Sequence, residues 1–218
     1  MKQSSSLVIL ALLCIVGLLL SGCLFKKTRV PTRDFILTLV PASESDPPPA
    51  CPVEIEVGSV KMPSYLLRES LVVRESANEF HYLDNAQWAE RLDQCFRRTL
   101  TENLSSLLAA AEPHLPPAKE TESRVLVSVS VRQFDVDTQG RGTLLATWRV
   151  THPGSDKPAT SGRSQLHQNG PSPQGNPQVV VTTLSGLTAQ FSRDLAKEIR
   201  PSTSDQQHES NPASDAPH

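Results

Sequence analysis

Residues 124–136 constrain the fold more than any other stretch of the chain. Val125, Val127, Val129 and Val131 alternate with Leu126, Ser128 and Ser130, the period of a β-strand with one apolar face. Phe134 and Val136 continue the apolar series with the opposite parity. A strand cannot change its buried face without an extra residue, so the pattern predicts a bulge or a strand end near Gln133. Asp137-Thr138-Gln139-Gly140 supplies a turn, and Leu144, Ala146, Trp148 and Val150 repeat the alternation as the return strand of a hairpin.

Two helical stretches have the apolar stripe that packs on such a sheet. In the first, Asp84 or Asn85 is expected as N-cap, with Gln87 three places after Asp84 as in a capping box. From Trp88 the apolar positions Leu92, Phe96, Leu100, Leu104 and Leu108 recur at helical spacing, with Cys95 and Leu107 beside them. Glu90, Arg91, Arg97, Arg98 and Glu102 fall on the other sides and read as a solvated surface. In the second, Asn176 and Pro177 suit the N-cap and first helical position. Val180 or Val181, Leu184, Leu187, Phe191, Leu195 and Ile199 then make the stripe, and Pro201 stops it. The expected class is α+β: a twisted, mainly antiparallel or mixed sheet of about five or six strands, with both helices packed on one face.

The remaining strands are shorter. Phe35, Leu37 and Leu39 alternate with Ile36, Thr38 and Val40 as a first strand ended by Pro41, and residues 41–52 form an acidic, proline-rich loop. Val53, Ile55 and Val57 alternate with Glu54 and Glu56 up to Gly58. Leu71 to Arg74, Phe80 with Tyr82, and an edge strand over Ser161 to His167 complete the set. The turn at Met62-Pro63-Ser64-Tyr65-Leu66 has two readings. It is a packed connection in which tyrosine caps a core edge, or an exposed ledge for a partner or for lipid.

The N-terminus sets the compartment. Lys2 precedes the apolar run Leu7 to Leu20, and Leu20-Ser21-Gly22-Cys23 closes it as a lipobox. The run is shorter than the ~20 residues of a spanning helix and is followed by small residues, so residues 1–22 read as a removable signal peptide. Cys23 is the expected lipidation site, since two or more acyl chains, at about 0.8 kcal/mol per buried methylene, anchor a protein stably without spanning the bilayer. Leu24 is not the aspartate of an inner-membrane retention signal, so in a cell with two membranes the expected home is the periplasmic face of the outer one. Residues 23–33 make a tether, in which Lys26, Lys27 and Arg29 add weak attraction to headgroups. Residues 34–200 make one domain, and residues 201–218 a polar tail read as disordered.

Composition narrows the chemistry. Loss of residues 1–22 removes one basic residue and no acidic one, leaving 20 Lys+Arg against 23 Asp+Glu, a near-neutral body with no footprint for nucleic acid. Cys51 and Cys95 remain in an oxidising compartment. They can close one disulfide, worth roughly 4 kcal/mol in the chain-entropy model, or Cys95 can stay a free thiol on the apolar side of its helix. The six histidines show no paired ligand spacing, and no CxxC, HExxH, GxSxG or phosphate-loop pattern occurs, so no metal, cofactor or catalytic residue is assigned. The expectation is a non-enzymatic binding or structural module.

The ordered series resembles a known family. Cys23, the early strand at Asp34 to Leu39, and Val57-Gly58-Ser59-Val60 leading to Met62-Pro63-Ser64-Tyr65-Leu66 are similar in order and spacing to the ABC-type transport auxiliary lipoproteins. So are Leu71-Val72-Val73-Arg74, Trp88-Ala89-Glu90-Arg91-Leu92, the strand ending in Phe134, the strand with Trp148 and the final helix. The resemblance implies an auxiliary of an envelope lipid-transport machine that works with an MCE-domain protein, an ABC permease and an ATPase. A ring of several copies would dock the distal end of the MCE assembly at the outer membrane. Met62, Tyr65 and Leu66 are then the candidate partner contacts, on the ledge reading of their turn. The alternative is a structural envelope lipoprotein or a regulator of a cell-wall enzyme. The Cys51/Cys95 pair and the polar tail depart from the family pattern.

Overall fold

The computed structural model describes residues 31–39, 53–108, 123–154 and 156–200. The body from Thr32 onward is a unit distinct from residues 1–31. The alternating valines form a fifteen-residue strand, β5 (Ser123–Asp137), preceded by β1 (Arg33–Phe35), β2 (Val53–Val57), β3 (Ser70–Arg74) and β4 (Phe80–Trp88). It is followed by β6 (Arg141–Thr151) and the edge strand β7 (Thr160–Asn169). The helices are α1 (Leu92–Leu108) and α2 (Pro177–Ile199).

The α+β class stands: among the described residues seven strands form one sheet in the order β1-β4-β3-β5-β6-β7, with β2 also on β5. The ladder of β5 is longer than any one neighbour, so three pieces fill one flank. These are β2, from Val53↔Ser123 to Val57↔Val127, a bridge at Lys61↔Ser130, and the end of β3 at Val73↔Val136 and Arg74↔Asp137. All three run parallel to β5, whereas the β3/β4, β5/β6 and β6/β7 pairs are antiparallel, so the sheet is mixed.

The predicted bulge is present. The β5/β6 register runs Val131↔Ala146 and then Gln133↔Leu145, leaving Arg132 as the extra residue. Val125, Val127, Val129 and Val131, and then Phe134 and Val136, are thereby all buried.

Two boundaries differ from the sequence reading. The helix N-cap expected at Asp84 or Asn85 is absent: both lie within β4, whose Ala86 and Trp88 are buried at a spacing of two. The helix starts at Leu92, and the Arg91 carbonyl accepts the amides of Gln94 and Cys95. A capping-box pattern is local, and here the ladder to β1 and β3 overrides it, with Gln87 donating to Asp34 at 2.8 Å. The first strand is also shorter than Phe35 to Leu39, ending at Phe35. Beyond it the Leu37 amide donates to Cys95 Sγ at 3.3 Å and the Thr38 amide to Ser185 Oγ at 3.1 Å. Side chains of the two helices replace a ladder at that point, and Ile36 and Leu39 are left 48 % exposed.

Both helical stripes are buried against the sheet. Phe96 of α1 meets the Phe134 ring of β5 edge-on at 5.3 Å and the Phe191 ring of α2 at 6.1 Å, so one aromatic trio joins three elements. Between the helices the Asn103 amide donates to Ser192 Oγ at 3.0 Å. The Asn176 side chain caps α2 by accepting the Gln178 amide. Gly142 lets α2 lie close on β6, since a Cβ there would sit 2.6 Å from the Thr183 methyl.

Candidate functional site

Alternation that buries one face of the sheet turns the other outward, and two regions of this outer face carry its polar chemistry. The first lies where β3 and β4 meet the C-terminal end of β5. After Met62 the chain makes a 3₁₀ turn at Ser64–Leu67, in which the Leu66 amide donates to the Pro63 carbonyl at 3.0 Å. The turn drives Leu66 into the core, 2 % exposed, and leaves Met62 and Tyr65 half-buried against it. The reading of Met62, Tyr65 and Leu66 as one exposed apolar ledge is therefore corrected: Leu66 has no surface to offer a partner. Its apolarity was legible, but the direction in which a proline-led turn points it was not.

Tyr65 is held from both ends. Its ring stacks on Phe80 with centroids 4.4 Å apart, and its hydroxyl donates to Asp135 Oδ2 at 2.9 Å. Asp135 is 2 % exposed, yet it accepts four hydrogen bonds among the described residues. The Arg74 guanidinium supplies two of them in a fork, at 2.9 and 2.7 Å, while lying 4.5 Å over the Phe80 ring. Gln133 supplies the fourth at 3.0 Å. Burial, and then the neighbouring Asp135 carboxylate, push the Tyr65 hydroxyl well above its usual value, so it remains a donor. The bond to Asp135 likewise raises the Arg74 guanidinium. This cluster satisfies itself and has no spare valence for a ligand.

The second region is a groove of about 710 Å³ across the chain at 58–61 and the strands β5, β6 and β7. Its floor is set by register: Ser128 faces Arg149, which faces Ser161, and in the next row Lys61 faces Ser130, Thr147 and Arg163. Lys61, Arg149 and Arg163 are exposed and have no ion pair among the described residues. On β2, beside β5, Glu54 and Glu56 are taken up by Arg124 at 3.7 and 3.2 Å. The groove is thus an open cationic surface with hydroxyls between the charges. Sequence reasoning missed it. Arg149 and the two serines were readable as the outward parity of a hairpin, but Lys61 joins them only through a parallel bridge to a strand far along the chain.

Cys95 is a free, buried thiol whose sulfur accepts the Leu37 amide, and burial pushes its pKa up. Its proposed partner Cys51 and the lipidation site Cys23 lie outside the described residues. Among the described residues no three His, Cys, Asp or Glu side chains come together as metal ligands, and no helix is long and apolar enough to cross a membrane.

Two helices laid on one face of an open mixed sheet define an α+β module with a partly polar outer face. The model of the family described as "ABC-type transport auxiliary lipoprotein component" matches residues 36–196, and the chain belongs to that family. It is similar to the intermembrane transport lipoprotein PqiC of Escherichia coli, 28 % identical over 148 residues that cover 66 % of this chain and 73 % of that protein. The Shigella flexneri PqiC matches with the same figures. Among solved structures, the crystal structure of an uncharacterized protein aligns with a TM-score of 0.62 at 24 % identity, over 78 % of this chain and all of that one. A protein from Xanthomonas campestris aligns at 0.60 and 16 % identity, over 83 % of this chain and all of that one. These two share its fold.

Proposed function

We propose that the protein is a non-enzymatic auxiliary component of an MCE/ABC-type intermembrane lipid-transport system. In this reading Cys23 carries the lipid, the anchor lies in the outer membrane, and the body faces the periplasm. There it docks the end of an MCE-domain assembly whose ABC permease and ATPase work at the other membrane. A ring of several copies suits such docking. The observation that supports this most is the family match across residues 36–196, together with the likeness to a protein named as an intermembrane transport lipoprotein.

The test is a crosslinked pull-down of the full lipidated chain from native membranes, with Cys23→Ala as control and mass spectrometry of the captured proteins. Enrichment of an MCE protein and its transporter, lost in the control, is the expected result. Recovery of cell-wall proteins alone would sink the transport reading in favour of a structural envelope lipoprotein.

A further inference from the structure

We propose that the groove holding Lys61, Arg149 and Arg163 binds the phosphorylated headgroup of an anionic membrane lipid. The inference deepens the transport reading and rests on it for the nearness of a bilayer.

Three features of the site carry it. The first is charge: the chain as a whole is slightly acidic, 21 Lys+Arg against 23 Asp+Glu, yet this concavity contains three cations with no ion pair among the described residues. The second is donor type. Lys61 and Arg163 mark the two ends of one cross-strand row, and Ser130 and Thr147 lie between them. At roughly 4.8 Å per strand the ends are about 14 Å apart at the backbone, a gap that two long cationic side chains can close over the hydroxyls. Arg149, one row along and next to Ser128, adds a guanidinium whose planar fork matches phosphate oxygens. The third is size, since about 710 Å³ has room for a lipid headgroup.

Charge complementarity and the tether select the occupant. Between Cys23 and Arg33 the chain reaches at most about 35 Å. A body so anchored works beside a surface covered with phosphates, and the groove offers three cations and a set of hydroxyls beside the apolar Leu126, Val129 and Trp148. The site would therefore recognise the headgroup while the acyl chains remain elsewhere.

The purified full-length lipidated protein in nonionic detergent would be titrated by calorimetry with water-soluble probes that do not enter micelles. Glycerophosphoglycerol, the anionic headgroup without acyl chains, is expected to bind saturably. Glycerophosphocholine, with its charge cancelled, is expected to bind several-fold more weakly, as would any anion at high salt. The double substitution Arg149→Gln with Arg163→Gln should weaken glycerophosphoglycerol about tenfold, given charge-assisted bonds to phosphate. Both residues are exposed, so the variant should melt as the parent does.

Inorganic phosphate binding as tightly as the headgroup fragment would overturn the lipid source. Binding of hexaglutamate in place of either would point to an acidic protein segment and overturn the proposal too. Absence of binding, or binding indifferent to the double substitution, would remove the groove altogether. Because the titration needs no partner protein, it can fail while the pull-down succeeds, and the reverse.

Discussion

Both polar regions of the outer sheet face carry arginine, and they differ in whether the cation has its anion. At the β3/β4 end, Arg74 forks onto the buried Asp135, with Tyr65 and Gln133 filling the remaining carboxylate positions. Across β5 to β7, Lys61, Arg149 and Arg163 stand beside hydroxyls, with no carboxylate in the lining of the groove. A buried ion pair that is fully hydrogen-bonded fixes geometry, while exposed cations contribute little to stability and remain available to a ligand. The contrast assigns a structural role to the first region and a binding role to the second.

The sharpest way to break the contrast is Arg74→Ala. It leaves the Asp135 carboxylate buried without its counter-charge, so the loss should be about 3 kcal/mol. In thermal unfolding that is a fall of several degrees. A change of less than a degree would show that the cluster is no more structural than the groove.

Tyr65→Phe should cost about 1–2 kcal/mol, because it removes one donor from a buried carboxylate and keeps the ring on Phe80. The same variant tests a pH dependence. The folded Tyr65 is held protonated above its ordinary 10.0, so an unfolded chain ionises first. Stability from this group is complete below pH 10 and is lost as pH rises through and beyond it. Denaturation midpoints measured between about pH 8 and 11 should fall at the alkaline end, and the part due to Tyr65 should vanish in Tyr65→Phe.

Smallest is the effect of Arg149→Gln or Arg163→Gln on folding, expected within about 0.5 kcal/mol. A loss as large as that of Arg74→Ala would mean the groove cations are structural, whatever they bind.

Particular residues show what could be read from the chain and what could not. The parity change after Val131 demanded the extra residue that Arg132 supplies, and the stripe from Leu92 to Leu108 is buried as its spacing required. Those patterns are local and repeat over many residues. The N-cap expected at Asp84 or Asn85 failed because a four-residue pattern competes with a ladder formed by strands from elsewhere in the chain. Leu66 was read as a surface candidate because apolarity alone does not say which way a turn points.

The amino-acid sequence alone therefore determined the periodic elements, the bulge, the two-layer class and the family resemblance, because each rests on spacing along one segment. The tertiary structure decided which charges meet. Arg74 finds Asp135 sixty-one residues away, and Lys61 faces Ser130 through a parallel bridge. Such pairings depend on strand order and register, which no single segment encodes, and they separate the closed cluster from the open groove.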